Sequence, residues 1–245
     1  ESRSSRIFFG KLNKLFPYAH LTIFFIFFQY VLVLYKKNYM FTATVITIFS
    51  LIVLLFSVII HELAHGYVAY SLGDPTAKYA GRLTMNPLKH LDPLGSVILP
   101  LLLLLATGGQ GPIFGWAKPV PINPYNFKDQ KWGTLKVAIS GPATNFAIAI
   151  FFGLLIRIIG LPQTVPFIEL LGIITIYNFL WGIFNLVPIP PLDGSWILFR
   201  FLPPGAESVK IFLQQYGLFI LVFFIFFGGL TGLSILSQLL YGLVA

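Results

Sequence analysis

Two histidines and a glutamate stand together at His61-Glu62-Leu63-Ala64-His65. Four residues of α-helix turn through about 400°, so His61 and His65 share one face, a turn apart. Two imidazoles so placed bind one Zn²⁺ and leave coordination positions open. Glu62 projects beside that face, where it can take a proton from a metal-bound water. The spacing alone is weak, because it also arises by chance on solvated helices. Its setting gives it weight: the motif closes a run with no formal charge from Asn38 to Ile60. Ionisable groups at the end of an apolar helix are expensive in a membrane and are functional by default. A catalytic zinc of this kind takes a third protein ligand. The later acids are Asp74, Asp92, Asp129, Glu169, Asp193 and Glu207. Among them Asp193 ends a membrane helix on the matching side, in the turn Val187-Pro-Ile-Pro-Pro-Leu-Asp193-Gly194. The same position would also suit an N-cap for a helix over Ser195–Leu202.

The elements that must carry these groups are apolar. The 245 residues are 57% hydrophobic and 10% charged, where soluble domains carry about 25% charge. This is the composition of a polytopic membrane protein, one domain over 1–245 with its core at about 41–202. Lys and Arg number 16 against 8 acids. They lie in short loops between apolar runs and form no single patch, so they set topology and do not bind nucleic acid. With no Cys, any metal must use His and carboxylate.

A first span is expected over residues 18–35, closed by Lys36-Lys37, with His20 at its interface. A second runs from about 41 to 72 and ends at Gly73-Asp74-Pro75. The basic connection 74–93 contains His90, which is not counted as a ligand. Residues 94–106 are too short for a normal span and suit a re-entrant segment. Residues 107–126 are rich in Gly and Pro, and Lys118-Pro-Val-Pro-Ile122 has the alternation of extended backbone. Further spans follow at 135–159 and 168–187. A last apolar stretch, 211–245, is broken at Gly228-Gly229 and crosses once or twice. The fold expected is thus about six membrane-embedded helical segments, with a re-entrant or extended hairpin between the second and third full spans. Four Lys/Arg precede the first span, which puts the N-terminus in the cytosol. The loop 74–92 and the stretch 128–136 then share that side, 160–167 lies outside, and His61, His65 and Asp193 converge toward the cytosol.

Three ordered motifs, His61-Glu62-Leu63-Ala64-His65, Gly141-Pro-Ala-Thr-Asn145 and Asn185-Leu-Val-Pro-Ile-Pro-Pro-Leu-Asp193-Gly194, give the chain its resemblance to the site-2 protease family of intramembrane zinc metalloproteases. Phe114-Gly-Trp-Ala-Lys-Pro-Val-Pro121 also resembles that family's membrane-associated hairpin. The likeness covers roughly 45–200. It implies one Zn²⁺ per chain on His61, His65 and Asp193, and Glu62 as catalytic base acting on a zinc-bound water. It also implies that Asn145 lies near the site to bind substrate or steady the oxyanion. With no PDZ-like insertion or nucleotide-sensing domain, a minimal member is expected. The substrates implied are transmembrane or membrane-proximal segments of other proteins, and the place is a multi-pass protein of a prokaryotic cell membrane.

A helical substrate must be opened to present its peptide bonds, and strand addition would pair the exposed groups. The expected donors are Gly115, Trp116, Ala117, Lys118, Val120 and Ile122, while Pro119 and Pro121 have no N–H to give. Two other functions fit parts of the pattern. A transporter could use the intramembrane His and Glu as an ion path, but it calls for repeats that the chain lacks. A metal-binding regulator without proteolysis would have no use for Glu62.

Overall fold

The computed structural model describes residues 43–98, 101–102, 105–106, 118–160, 162 and 165–230. The expected span 18–35, His20, and the segment holding Gly115, Trp116 and Ala117 lie outside the described residues. The described chain is helical. Helix α1 is Ala43–Ser71, α2 a single turn at Thr76–Tyr79, α3 Gly133–Ile159, α4 Pro166–Asn185, α5 Asp193–Phe201 and α6 Glu207–Leu230. Three of these, α1, α3 and α4, are long and apolar enough to cross a membrane. A rise of about 1.5 Å per residue makes α1, with its 29 residues, some 43 Å long. That exceeds a hydrocarbon core of about 30 Å.

One stripe of α1 faces the protein. Ser50, Leu54, Ser57, Val58, His61, His65 and Ala69 are buried along it, while Ile48, Leu51, Ile52, Leu55 and Phe56 are exposed on the other side. Helix α3 answers with small residues, Gly133, Ala138, Gly141 and Ala149 among its buried positions. Lipid tails are as apolar as any helix face, so small residues that let backbones approach are what hold such helices together. Helix α3 packs against α1, α4 and α5, and α1 also meets α4 directly.

The end of α1 follows its sequence. Gly73 has φ +107°, a conformation that side chains resist, and the chain turns there into Asp74. Helix α6, by contrast, runs through Gly228 and Gly229 to Leu230. Leu230 is the last described residue, so the rest of the expected stretch 211–245 lies outside the described residues. Glycine weakens a helix but keeps its N–H, so it can continue one. Pro93–Ile98 is a single π-helical turn.

Residues 118–123 form no helix. They lie as a strap between the end of α1 and the loop that follows it. The buried Arg82 guanidinium donates to the carbonyls of Lys89, Lys118 and Pro119, the last at 3.2 Å. Lys118 N–H donates to the His90 carbonyl at 2.8 Å. At the far end, the fully buried Asp74 carboxylate accepts from Asn123 N–H at 2.7 Å and from the Asn126 amide at 2.8 Å. It also accepts from Thr76, through both N–H and hydroxyl. Burial works against the charge on Asp74, but these hydrogen bonds outweigh it and hold the carboxyl below its ordinary range.

Candidate metal centre

His61 and His65 stand on the buried stripe of α1, 2% and 6% exposed. Asp193 comes from the first turn of α5. Its Oδ2 lies 3.0 Å from His61 Nε2 and 3.2 Å from His65 Nε2. The two Nε2 atoms are 3.0 Å apart, with the rings nearly perpendicular at 86°. The sequence stretches are thus brought together in three dimensions, and His90 is not among them. The N-cap alternative for Asp193 does not hold: Leu192 is the capping position, and Asp193 is already helical. Its carboxylate is turned to the imidazoles instead.

Glycine makes the approach possible. A Cβ on Gly141 would collide with His65 Nε2 and would stand 2.6 Å from His61 Cε1 and Nε2. A side chain on Gly194 would run into the Leu186 carbonyl, and into that of Val187 at 2.6 Å. The first glycine lets α3 press on the histidines. The second lets the start of α5 tuck under the end of α4, which brings Asp193 inward.

The other ring nitrogens are committed. His65 Nδ1 faces the Val137 carbonyl at 2.7 Å, which can only accept, so Nδ1 carries the proton. His61 Nδ1 faces Asn145 Oδ1 at 2.6 Å. The Asn145 amide donates to Asn178 Oδ1 at 2.9 Å and to the Ser57 carbonyl at 3.3 Å. That leaves its oxygen for His61, whose Nδ1 is therefore also the protonated one. Both Nε2 atoms then present lone pairs to each other and to a carboxylate oxygen that has no hydrogen-bond donor. Three acceptor atoms converge in a buried site, the arrangement a cation would satisfy. A tetrahedral zinc with bonds of about 2.0–2.1 Å spaces its ligands about 3.3 Å apart. The observed triangle of 3.0, 3.0 and 3.2 Å is close to one face of such a polyhedron. The donor set and its spacing fit zinc.

Asn145 lies beside the site but is fully buried, and its amide serves His61, Asn178 and Ser57. Both of its N–H groups and one lone pair of its oxygen are thus committed to neighbouring helices, and one of those commitments orients His61. Two N–H groups of the strap also have partners within the chain. Val120 N–H donates to Glu62 Oε2 at 3.0 Å and Lys118 N–H to His90. A half-buried backbone donor takes the partner at hand, and here those partners are internal.

Helical spans around a buried His-His-carboxylate triangle, with a glutamate one residue along the same helix, define an intramembrane metallopeptidase. The sequence model of peptidase family M50 matches residues 155–224. "Putative zinc metalloprotease YwhC" of Bacillus subtilis is 38% identical over 186 residues, 73% of this chain and 80% of that protein. "Putative zinc metalloprotease Rip2" of Mycolicibacterium smegmatis is 31% identical over 175 residues, 69% of this chain and 62% of that protein. The Mycobacterium tuberculosis H37Rv protein of the same name is 30% identical over 199 residues, 78% and 74% of the two chains. No solved structure matches. The chain belongs to peptidase family M50, the site-2 protease family, and is an integral-membrane zinc metalloprotease.

Proposed function

We propose that His61, His65 and Asp193 hold the catalytic zinc, and that Glu62 is the general base in hydrolysis of peptide bonds in or near transmembrane segments of substrate proteins. The observation that carries this reading is the convergence of three buried lone-pair atoms at 3.0–3.2 Å. Bound there, zinc would supply Lewis acidity and make water ionisable near neutral pH. Glu62 accepts the proton from the attacking water and passes it to the leaving amine. Val120 N–H holds one Glu62 oxygen at 3.0 Å. The strap thus holds the base through Val120. Gly115, Trp116 and Ala117 remain the part of the hairpin proposed for substrate strand addition. The transporter and regulator readings give way to the family assignment and to an intact Glu62.

Two finer points belong to the same reading. The proposed architecture is about six embedded segments with the hairpin between the second and third spans. The proposed membrane is a prokaryotic cell membrane with the site toward the cytosol, supported by the basic residues Lys78, Arg82, Lys89, Lys118, Lys128, Lys131 and Lys136 on the site's end of the helices. The test is zinc content together with cleavage of a transmembrane substrate in detergent. Glu62→Gln keeps size and hydrogen bonding but cannot take the proton. It is expected to retain one zinc per chain and to lose about 10²–10⁴-fold in turnover. Near-native turnover would remove Glu62 from the base role. Loss of zinc would make it part of the metal site.

A further inference from the structure

We propose that Asn178, on α4 and remote from the reacting atoms, is a positioning residue that sets the direction of the His61 lone pair through Asn145. The inference rests on the reading of His61 as a metal ligand. A side-chain amide seen end-on can point either way, so some fixed group must decide its sense. Here that group is a main-chain carbonyl, which can only accept. Asn178 Nδ2 donates to the Ile174 carbonyl at 2.9 Å. The Asn178 oxygen is therefore left to face Asn145. Asn145 must turn its own Nδ2 toward it, at 2.9 Å, and so presents its oxygen to His61 Nδ1 at 2.6 Å. That oxygen demands a proton on Nδ1, and the Nε2 lone pair is delivered to the metal position. The Ser57 carbonyl supports the same sense from α1, but at 3.3 Å it is the weaker hold.

The relay runs from α4 through α3 to α1. Asn145 is fully buried and Asn178 is 2% exposed, so no water stands ready to replace either partner. Partners of metal-binding histidines commonly change metal affinity by 10–100-fold when removed. Asn178 acts one bond further out, with Ser57 as partial substitute, so the lower end of that range is expected.

The test measures zinc affinity of the full chain in detergent, by competition with a chromophoric chelator. Asn178→Leu keeps the volume and removes the acceptor. It should weaken zinc about 10-fold while the thermal stability of the metal-free protein stays near that of the unsubstituted chain. Asn178→Asp presents an accepting oxygen to Asn145 in either protonation state and should restore most of the affinity. In an Asn145→Ala background, Asn178→Leu should cost nothing further, because the relay is already cut. Unchanged affinity in Asn178→Leu would overturn the inference. So would an equal loss in the Asn145→Ala background, or a loss in Asn178→Asp as large as in the leucine variant, since both are marks of packing alone. Failure of the unsubstituted chain to bind zinc would instead overturn the metal-site reading, and this inference with it.

Discussion

At the scale of single residues, the sharpest demand in the site falls on an atom that is missing. Gly141 sits on the α3 face that meets the histidines, and a methyl group there would overlap both imidazoles. Overpacking of this kind costs typically 1–3 kcal/mol, but here the groups that must yield are the ligands themselves. Gly141→Ala is therefore expected to bind zinc at least 10-fold more weakly, with little change in expression or helix content. Zinc affinity equal to that of the unsubstituted chain would mean that α3 can back away from α1 without cost. The glycine was visible in the sequence as part of Gly141-Pro-Ala-Thr-Asn145, and so were the ligands, because His61 and His65 are tied by helical spacing and Asp193 by its proline-bounded turn. Asn178 was visible only as a polar residue in a span. Its meaning depends on facing Asn145 across two helices, and nothing in spacing along the chain encodes that.

At the scale of elements, the strap and its anchors decide where Glu62 points. The sequence marked 118–122 as non-helical through its alternating prolines. It did not mark the destination of the Val120 N–H, because a backbone donor has no residue type to betray its partner. One anchor is sensitive to pH. His90 is 3% exposed, its Nε2 meets the Thr84 carbonyl at 2.8 Å, and its Nδ1 has no partner. Burial pushes its pKa down from 6.5, and Arg82 adds to this, while the Thr84 carbonyl and Glu62 pull the other way. The folded chain thus binds this proton less readily than the unfolded one. The stabilisation is whole above about pH 6.5 and drains away as pH falls toward the depressed folded value. Because the His90 carbonyl also holds Lys118 N–H, the loss reaches the strap. Hydrogen exchange at residues 82–90 and 118–120, corrected for intrinsic rates, should be flat above about pH 7 and rise as pH falls below about 6.5. A His90→Gln variant should show no such rise. The same rise in that variant would assign the effect to another group.

At the scale of the whole molecule, the question is which side of the membrane the site opens to. Helix α1 is longer than the hydrocarbon core, and both histidines lie in its C-terminal half. Asp193 follows the end of α4 and Gly141 lies in the first third of α3, so antiparallel crossings bring all of them to one end. Hydropathy made the spans legible without making their packing so, since apolar runs state where a helix crosses and not which face it turns inward. The flanking charges carry the orientation. Seven Lys/Arg fall between residues 74 and 136, whereas residues 160–167, at the other end of α3, carry none. Lysine and arginine near span ends are retained on the cytoplasmic side, so the site end should face the cytosol. The chain has no Cys, so single cysteines can report position without a background. Lys78→Cys and Lys128→Cys should resist a membrane-impermeant maleimide in intact cells and react once the cells are opened. Pro162→Cys should react from outside. Labelling of position 78 or 128 in intact cells would invert the molecule, and the segment presented to Glu62 would then have to enter from the opposite face.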